Sequence, residues 1–499
     1  MMSVSASALR KKTKIVATLG PASADEASLR AMIREGMDVI RINFSHGEHE
    51  EHRTTIELAQ RIAAEEGRVL ATMCDIQGPK IRIGEIPDEP LELFAGDAIR
   101  FQLEGDGSNC ISLPHPELFR DAQPGMQLLL DDGSLELTVE AAQPQLLECR
   151  VVVGGPLTSR KGVTAPKASL QSLSAITEKD RRDIEFALQM NVDYIAMSFV
   201  RSEEDIHELR WLMRHLRKKA DIIAKIEKHD ALQNIVEIIA AADGVMVARG
   251  DLGLETPAEE VPFQQKRIIT LCNEAAKPVI TATQMLSSMI HHPRPTRADA
   301  SDVYNAIVDG TDAVMLSNET AVGQFPVEAV RTMANISVIA ESHQLESGEN
   351  ASLRGRPAGG KDEISDAISA ASYEIARTVR PRAIVTATMS GYTARHIARG
   401  RPLAPIISLT PLPETYRRMA LVWGVQPLIV KQFNSIESMI ATVVRKLHEE
   451  GLADPGDVLV ILAGTPFGFG GRTNMIQIHR VGDAGELDEN GAEFAAEEV

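Results

Sequence analysis

The sequence predicts an α/β fold built from a (β/α)8 TIM barrel, with a small β-barrel domain inserted into it and a doubly wound α/β domain after it. Three observations predict this arrangement. Strand-like segments recur at intervals of roughly 25 to 30 residues, with helical segments between them. An all-β stretch interrupts that alternation once. A polar stretch rich in glycine and proline then separates this first alternation of strands and helices from a second one near the C-terminus.

The first βα units occupy the N-terminal part of the chain. The segment KIVATLGPAS (14–23) is a β-branched run that ends at Gly-Pro, and VIRINFSHG (39–47) alternates between apolar and polar positions. A third run, VLATMCDIQGPKIR (69–82), follows another helical segment. Helices between successive strands indicate parallel pairing, so we assign residues 1–77 to the first part of the barrel.

Residues 78–173 break this alternation. They form short alternating segments separated by Gly, Pro and Asp-Gly turns, which is typical of a small β domain. The βα alternation resumes in residues 174–345, where Thr177 is the predicted N-cap of the helix TEKDRRDIEFALQ. The strands predicted there are YIAMSFV (194–200), DIIAKIE (221–227), GVMVARG (244–250), PVITATQ (278–284) and DAVMLSN (312–318). Together with the first three strands they complete a (β/α)8 barrel.

The last third of the chain is predicted to form a separate domain. Residues 346–362 are polar and rich in glycine and proline, so we interpret them as a linker. Residues 363–481 alternate helices with strand-like runs, as an open doubly wound α/β domain does. The final segment, 482–499, is acidic and lacks periodicity, which predicts a solvated tail.

Charge and composition argue against several classes of protein. The chain has 499 residues, 44% of them hydrophobic, with a net charge of −18 and a pI near 5.3. This acidity argues against binding to nucleic acid or to an anionic membrane surface. The four cysteines are scattered without a CxxC pair, so the sequence predicts neither a disulfide framework nor a zinc site. No signal peptide or membrane-spanning apolar run is recognisable, and we therefore expect a cytoplasmic protein.

The stretch from Ile222 to Glu255 carries the clearest chemical signal. Lys225 and Glu227 lie two residues apart at the end of one apolar strand, so their side chains project from the same face. Asp251 directly follows the next strand, in a predicted turn with glycines on both sides of the aspartate. Two carboxylates at neighbouring strand ends are suited to hold Mg²⁺, and the ammonium beside them is suited to a phosphoryl group in transfer. The alternative is a buried Lys–Glu pair and a solvated Asp.

Polar residues interrupt other strands at the same ends, where barrel enzymes hold their active sites. They are Arg41, Asn43, Ser45, Asp75, Thr283, Ser317 and Glu319. Each of them alone is explained by helix capping or by strand preference, since Asn and Ser cap helices and Thr is common in strands. Their recurrence on so many strands is what predicts a shared site.

Several segments, in this order, resemble those of the pyruvate kinase family. They are RINFSHG, DIQGPKIR, AKIEKHDAL, ARGDLGLE, ATQMLSSM, PTRADASDVYNAIVDG and MLSNETAVGQFPVEAV. The resemblance extends from about Lys14 to His479, and its Lys-Ile-Glu and Arg-Gly-Asp-Leu-Gly blocks are the most specific. It implies a catalytic barrel, a lid domain inserted after the third strand, a C-terminal effector domain and a homotetramer. It also implies transfer of the phosphoryl group of phosphoenolpyruvate to ADP, which gives pyruvate and ATP in glycolysis.

The resemblance also implies roles for individual residues. The residues implied for the divalent metal (Mg²⁺ or Mn²⁺) are Glu227 and Asp251, and those implied for the substrate are Arg41, Lys225, Gly250, Asp251 and Thr283. The residues implied for the nucleotide are Thr18, Pro21, His46, Arg82 and Lys161. Those implied for catalysis are Lys225, Arg41, Thr283 and Ser317. The catalytic set divides into cations that neutralise the phosphoryl group and hydroxyls near the water chain that protonates enolpyruvate. A second metal would arrive with the nucleotide.

Two positions depart from the family pattern. The family's acidic residue in its Asp-Thr-x-Gly-Pro-Glu block is Lys80 here, and the threonine after the aspartate is Ile76. In the family, a Glu at the position of Lys80 accompanies a requirement for K⁺. The residues that correspond to the K⁺ region are Asn43, Ser45, Asp75, Ile76 and Lys80. The lysine predicts an enzyme that does not require K⁺, and the alternative is that Lys80 points into solvent.

Two loops of the C-terminal segment resemble the effector site of the family. They lie in TATMSGYTARHIARGRP (386–402) and GTPFGFGGRTN (464–474), and their candidate effector residues are Thr388, Ser390, Thr393 and Arg472. Met389 stands where relatives that respond to sugar bisphosphates often carry a cation. This predicts activation by a sugar monophosphate or AMP. The alternative for the Ser/Thr cluster is ordinary helix capping.

Two other functions compete with an active pyruvate kinase. A Mg²⁺-dependent lyase on the same barrel would share the carboxylate pair, but it would need neither Lys225 with a nucleotide-side Arg82 nor an inserted lid. A catalytically silent protein that binds sugar phosphates would be free to lose part of the site. The metal and phosphoryl residues implied by the resemblance are all present, which argues against the silent protein.

Overall fold

The computed structural model of the chain describes residues 11–87, 89–105, 110–166, 168, 170, 172–347, 363–467 and 471–482. The β-strands in chain order are β1 Lys14–Thr18, β2 Val39–Asn43, β3 Ala71–Ile76, β4 Leu91–Leu93, β5 Ala98–Gln102, β6 Cys110–Ser112, β7 Gln127–Leu130, β8 Leu135–Gln143, β9 Leu146–Val153, β10 Gly155–Leu157, β11 Val163–Thr164, β12 Tyr194–Met197, β13 Asp221–Ile226, β14 Gly244–Ala248, β15 Val279–Ala282, β16 Ala313–Leu316, β17 Ala383–Ala387, β18 Ile406–Thr410, β19 Val425–Ile429, β20 Val458–Ala463 and β21 Met475–Arg480.

Helices follow most of the barrel strands and flank the C-terminal sheet. In chain order they are α1 Glu26–Glu35, α2 His49–Glu65, α3 Pro116–Asp121, α4 Glu178–Gln189, α5 Glu203–His215, α6 His229–Gln233, α7 Ile235–Ala241, α8 Arg249–Glu255, α9 Val261–Glu274, α10 Arg297–Val308, α11 Asn318–Ala321, α12 Pro326–Ser347, α13 Glu363–Val379, α14 Tyr392–Ala398, α15 Pro413–Arg418 and α16 Ile436–Glu449. Helix α4 begins at the predicted N-cap, because the Thr177 hydroxyl accepts the amide hydrogen of Asp180 at 3.1 Å.

The predicted (β/α)8 barrel is confirmed. Eight parallel strands close in the order β1-β16-β15-β14-β13-β12-β3-β2. Side chains such as Val16, Met73, Ile223, Met246 and Ile280 fill the barrel interior, and they are fully buried. Alternate residues face the surrounding helices in a second apolar layer. Because both faces of the strands are covered, these segments read as nearly continuous apolar runs in the sequence.

The domain inserted after β3 is all-β, apart from the short helix α3. Its strands form a six-stranded sheet in the order β11-β7-β8-β9-β5-β6 and a two-stranded sheet of β10 and β4. Its apolar core, which includes Phe101, Leu128 and Leu137, is separate from that of the barrel. The two connections to the barrel pair through a β-bridge between Arg82 and Gly162, so the insertion enters and leaves the barrel side by side.

The C-terminal domain is a five-stranded sheet in the order β19-β18-β17-β20-β21. Four of its strands are parallel, and β21 runs antiparallel to β20. The domain docks on the end of the barrel where the strands begin. There Arg401 donates to Asp312 at 3.0 Å and Arg417 donates to Asp193 at 2.9 Å, and each aspartate immediately precedes a barrel strand. The carboxyl ends of the barrel strands therefore open at the opposite side.

The predicted domain boundaries stay predictions. Helix α12 continues to Ser347, into the predicted linker, and the remainder of that linker lies outside the described residues. The tail beyond Gly482 also lies outside them. Among the helices that are described, none is both long enough and apolar enough to cross a lipid bilayer.

Candidate active site

The charged residues that the sequence singled out, Lys225, Glu227 and Asp251, lie at the carboxyl ends of β13 and β14. Lys225 is near the end of β13 and Glu227 follows that strand, so period two places both side chains over the barrel mouth. The residues after β14 are predicted as a turn, but they form helix α8, which carries Asp251 in its first turn. The start of this helix is tied to the end of β15, because the Gly250 amide donates to the Thr283 hydroxyl at 2.9 Å and Arg249 donates to the Thr283 carbonyl at 2.6 Å.

All three donors of the Lys225 ammonium have protein partners. Nζ donates to the Ser198 hydroxyl at 2.6 Å and to Asp75 Oδ1 at 3.1 Å, and it lies 2.9 Å from Glu227 Oε1. The side chain is almost fully buried. Burial disfavours the charged ammonium, but Asp75 and Glu227 outweigh burial and raise the pKa of Lys225 above its ordinary value. Lys225 is therefore a charged group held at one point of the site.

Asp75 joins Lys225 to Arg41. Arg41 Nε donates to Asp75 Oδ2 at 2.7 Å, and its Nη1 donates to the Thr18 hydroxyl at 2.9 Å. Burial acts to raise the pKa of Asp75, but Lys225 and Arg41 together lower it below its usual value. The predicted strand-end residues Arg41, Asp75 and Lys225 thus form one hydrogen-bonded network across β2, β3 and β13. Thr18 on β1, which is predicted for the nucleotide, joins the same network.

The carboxylate pair fits a divalent cation that takes its other ligands from substrate or water. Glu227 is buried, and burial raises the pKa of its carboxyl; Asp251 nearby adds to this effect, whereas Lys225 opposes it. A divalent cation would relieve the repulsion between the two carboxylates. Within the described ranges there is no cluster of three or more His, Cys, Asp or Glu side chains arranged to hold a metal. The pair alone would therefore leave an open coordination sphere.

A cavity lies between the barrel mouth and the inserted domain, as an active-site cleft does. Its volume is about 750 Å³ counting the solvent-open mouth, and Glu227 and Asp251 line it. Lys80 and Gly162 line the cavity on the side of the inserted domain. Lys80 is half-buried there, which argues against the alternative that its side chain points into solvent.

Thr283 stands at the end of β15 in a strained backbone conformation. Its φ is +68°, which a β-branched residue adopts only where neighbouring contacts hold it. The Thr283 hydroxyl donates to the Ala282 carbonyl at 2.7 Å and accepts the Gly250 amide hydrogen at 2.9 Å. Arg249 donates to the Thr283 carbonyl at 2.6 Å and to both oxygens of Asp302, at 2.6 and 2.7 Å. These contacts tie β15 to the start of helix α8.

Ser317 occupies the end of β16. Among the residues that the structure describes, its buried hydroxyl has no hydrogen-bond partner, so it is available to a water or substrate atom. The Ser317 amide donates to Glu319 Oε2 at 2.8 Å, and the hydroxyl of Thr18 donates to the Leu316 carbonyl at 2.9 Å. The ends of β1 and β16 are thereby held together.

The residues predicted for the nucleotide are more dispersed. Arg82 Nη1 donates to the Arg160 carbonyl at 3.0 Å, and Lys161 Nζ lies 2.7 Å from Asp131 Oδ1, so both cations have partners in the inserted domain. Pro21 and His46 are exposed on the barrel. Thr18 belongs to the Arg41 network described above. The described hydrogen bonds and ion pairs of the predicted nucleotide residues therefore do not join them into one cluster.

The predicted K⁺ region is partly occupied by protein contacts. The Asn43 side-chain oxygen accepts the Ser45 amide hydrogen at 3.1 Å. Asp75 has two cationic partners, and it directly precedes Ile76 at the end of β3. Lys80 faces the cleft beyond that strand.

The predicted effector residues border a cavity in the C-terminal domain. Thr388, Met389, Thr393 and Arg472 line it, and it measures about 460 Å³ counting its solvent-open mouth. Ser390 is exposed beside Met389 and is outside the lining. The Thr388 hydroxyl accepts the Gly391 amide hydrogen at 2.9 Å, which is a capping contact, whereas the Thr393 hydroxyl bonds that of Thr473 at 2.8 Å. Part of the cluster is therefore committed to local structure.

Sequence reasoning missed three residues at the barrel mouth. Ser198 contacts Lys225 and is the polar residue near the end of the strand-like run YIAMSFV, so the rule that singled out the other strand ends could have found it. Arg249 and Asp302 form a bidentate ion pair, but they are 53 residues apart in sequence. No local pattern signals that pair.

Comparison with known proteins agrees with this geometry. Residues 10–330 match the family model "Pyruvate kinase, barrel domain", and residues 366–479 match "Pyruvate kinase, alpha/beta domain". Pyruvate kinase 2 of Synechocystis sp. is 43% identical over 483 residues, which are 95% of this chain and 80% of that protein. A pyruvate kinase of Staphylococcus aureus is 44% identical over 477 residues, 95% of this chain and 81% of that protein.

A solved structure shows the same architecture. It is a pyruvate kinase from Cryptosporidium parvum that is 35% identical in sequence, covers 95% of this chain and 97% of its own, and superposes with a TM-score of 0.88. The two family-model matches together cover both the barrel and the C-terminal domain. The chain therefore belongs to the pyruvate kinase family of phosphotransferases.

Proposed function

We propose that the cleft at the barrel mouth transfers the phosphoryl group of phosphoenolpyruvate to ADP, giving pyruvate and ATP. The observation that carries this proposal is the Lys225 ammonium held by Ser198, Asp75 and Glu227 beside a carboxylate pair. Phosphoryl transfer demands mainly positioning and electrostatic stabilisation from a protein. A rigidly held cation next to a site for a divalent metal meets both demands.

Individual residues are assigned roles on the same grounds. Glu227 and Asp251 would hold the metal, which supplies positive charge to the oxygens of the substrate when it is bound. Lys225 and Arg41 would donate to the phosphoryl oxygens and offset their charge during transfer. Thr283 and the amides of helix α8 would orient the carboxylate of the substrate, and Ser317 would hold a water near the carbon that gains a proton. Arg82 and Lys161 would bind the nucleotide phosphates.

A coupled assay with lactate dehydrogenase tests this proposal. In reactions that contain phosphoenolpyruvate and Mg²⁺, we expect pyruvate to form when ADP is added and not when ADP is left out. A Mg²⁺-dependent lyase would act on its substrate without ADP, and a silent sugar-phosphate-binding protein would give no turnover at all. Either of these outcomes would contradict the proposal.

We also propose that the enzyme needs no K⁺, and expect the same turnover with and without it. Two unit cations about 4 Å apart at an effective dielectric near 20 repel by about 4 kcal/mol, so the ammonium of Lys80 disfavours the binding of a K⁺ ion beside it. Lys80 borders the cleft, and Asp75 already has two cationic partners. The tethered ammonium of Lys80 would supply the charge that K⁺ supplies in other family members. Turnover is measured at saturating substrates in K⁺ and in a tetraalkylammonium salt at matched ionic strength.

The Lys80→Glu variant is the internal control for this prediction. It should be less active than the wild type in the tetraalkylammonium salt and should recover activity when K⁺ is added, because the carboxylate restores the negative charge that accompanies K⁺ binding. A several-fold rise in the turnover of the wild type on adding K⁺ would show that Lys80 does not replace the ion.

For the C-terminal cavity we propose a phosphorylated activator with one phosphate, either a sugar monophosphate or AMP. Arg472 and the hydroxyls of Thr388 and Thr393 offer one place for a phosphate, and Met389 offers no charge to a second. Phe433 and Phe467, whose ring centroids are 6.0 Å apart, add apolar walls that suit a sugar or base. We therefore expect a monophosphate to activate more strongly than fructose 1,6-bisphosphate.

Titration of glucose 6-phosphate, AMP and fructose 1,6-bisphosphate at subsaturating phosphoenolpyruvate measures this preference. Arg472→Gln should abolish the response and leave the basal rate unchanged. Arg377→Gln removes an exposed arginine on helix α13 that pairs with Glu374, and it should respond as the wild type does. Stronger activation by the bisphosphate would contradict the proposal. No activation by any of the three would assign the hydroxyl cluster to helix capping.

Membership of the family also supports a homotetramer as the proposed assembly. Size-exclusion chromatography with light scattering would measure the mass of the assembly in solution.

A further inference from the structure

Strand β12 lies between the two strands that carry the charged residues of the site. In the closed barrel its neighbours are β3, which bears Asp75, and β13, which bears Lys225. Met197 at its end pairs with Ile76 on one side and with Ala224 on the other. The next residues, Ser198 and Phe199, form a turn directly at the barrel mouth, which we call the Ser198–Phe199 turn.

The Ser198 hydroxyl holds the Lys225 ammonium without neutralising it. An ammonium only donates, so the hydroxyl oxygen accepts from Lys225 at 2.6 Å, and its own proton is left for Asp75 Oδ1 at 3.3 Å. Ser198 is only 4% exposed, which excludes bulk water as the alternative partner. Of the three groups that contact the ammonium, Ser198 is the uncharged one.

The same turn holds Glu227 through its backbone. The Phe199 amide donates to Glu227 Oε2 at 2.8 Å, while Glu227 Oε1 faces Lys225. Both oxygens of the buried carboxylate thus have a partner, so the plane of the carboxylate is determined. Phe199 adopts a left-handed backbone conformation, with φ at +55°. Such a conformation in a residue other than glycine is uncommon and occurs where the surroundings impose it.

The segment after β3 leaves room for this turn. Gly78 has φ at +68°, and a Cβ added there would lie 3.0 Å from Phe199 Cδ2 and 3.1 Å from Ser198 Cβ. Glycine therefore allows the chain beyond Asp75 to pass close over the turn. The turn is packed between that segment and β13, which limits its freedom to move.

We propose that the Ser198–Phe199 turn is a positioning element for phosphoryl transfer, with the Ser198 hydroxyl orienting Lys225 and the Phe199 amide orienting Glu227. A divalent metal held by Glu227 would compete with Lys225 for the negative charge of this carboxylate, which Lys225 contacts in this structure. Ser198 and Asp75 would then keep Nζ in place while its third donor turns to the phosphoryl group. Neither residue of the turn touches the reacting atoms in this scheme, so both act through their partners. The inference rests on the roles proposed above for Lys225 and Glu227.

Ser198→Ala tests the first contact. We expect kcat to fall roughly 10- to 100-fold, the effect of losing one hydrogen bond to a charged group, with the KM for phosphoenolpyruvate changed less than about twofold. The affinity for Mn²⁺, followed by electron paramagnetic resonance without substrate, should not change. Ser202→Ala, four residues along the chain at the N-cap of helix α5, is the matched control and should keep the wild-type kcat.

The second contact is tested by two substitutions of Phe199. Valine resists a positive φ because it is β-branched, so Phe199→Val should turn the amide away and weaken Mn²⁺ binding roughly tenfold. Phe199→Gly removes the ring but adopts the same backbone conformation readily, so its Mn²⁺ affinity should stay near that of the wild type. Equal losses in both variants would assign the effect to the ring and overturn the role of the amide.

The outcomes separate this inference from the proposed function. An active wild type with an impaired Lys225→Met variant and a fully active Ser198→Ala variant would overturn the positioning role alone. A Lys225→Met variant as active as the wild type would overturn the role of Lys225 on which the inference rests. If Ser198→Ala lost kcat, substrate affinity and thermal stability together, Ser198 would be a structural residue and the inference would be wrong.

Discussion

Asp251→Asn should lower the turnover number at least about 100-fold at saturating phosphoenolpyruvate, ADP and Mg²⁺, the scale of losing one preorganised contact to the transition state. The substitution keeps the size of the side chain but removes its charge. Glu227 alone would then have to hold a divalent ion among the anionic groups of two substrates. The coupled assay measures the loss, and a Mg²⁺ titration shows whether a higher metal concentration recovers part of it.

Glu227→Gln should have a similar effect, because the other half of the carboxylate pair is then lost. Asp230→Asn is the matched control, since Asp230 lines the same cavity without belonging to the proposed pair. Its turnover should remain near that of the wild type. An Asp251→Asn enzyme with nearly wild-type turnover at ordinary Mg²⁺ would overturn the metal assignment.

Lys225→Met should lower kcat roughly 100-fold or more and raise the KM for phosphoenolpyruvate far less. The ammonium is proposed to offset charge that develops during transfer, and an interaction made mainly in the transition state acts on kcat. Methionine keeps most of the length and the apolar stem of the side chain. Steady-state kinetics with each substrate varied in turn separate the two parameters.

Stability must be checked beside the kinetics of Lys225→Met. The substitution leaves Asp75 and Glu227 with one cation fewer in a buried site, which costs about 3 to 5 kcal/mol when a buried pair is broken. Lys277→Met is the control for removing a half-buried lysine, because Lys277 donates to the Ala242 carbonyl at the other end of the barrel. Its kcat should be close to that of the wild type. A defect of Lys225→Met in KM alone would assign this lysine to substrate binding in the ground state.

Much of the fold was predictable because local patterns determine it. The recurrence of apolar runs predicts the eight barrel strands, and the break in that recurrence predicts the all-β insertion. The N-cap at Thr177 was predictable because a capping contact joins residues three apart. The same reasoning was wrong for the residues after β14, where helix α8 replaces the predicted turn. The glycines there suggest a turn, whereas the helix is held by contacts of Arg249 and Gly250 with Thr283, which is distant in sequence.

The side chains that share a face of a strand follow from the period of the strand alone, so the sequence is enough to predict that Lys225 and Glu227 project together. The predicted barrel already implies which strands are neighbours, but only the folded structure shows which of their side chains meet. Closing the barrel placed β12 between β3 and β13, and only then does Ser198 meet both Asp75 and Lys225. The pair of Arg249 and Asp302 likewise exists only in the folded chain. Contacts of this kind depend on the register of the strands and on the conformations of side chains far apart in sequence, which no local pattern encodes.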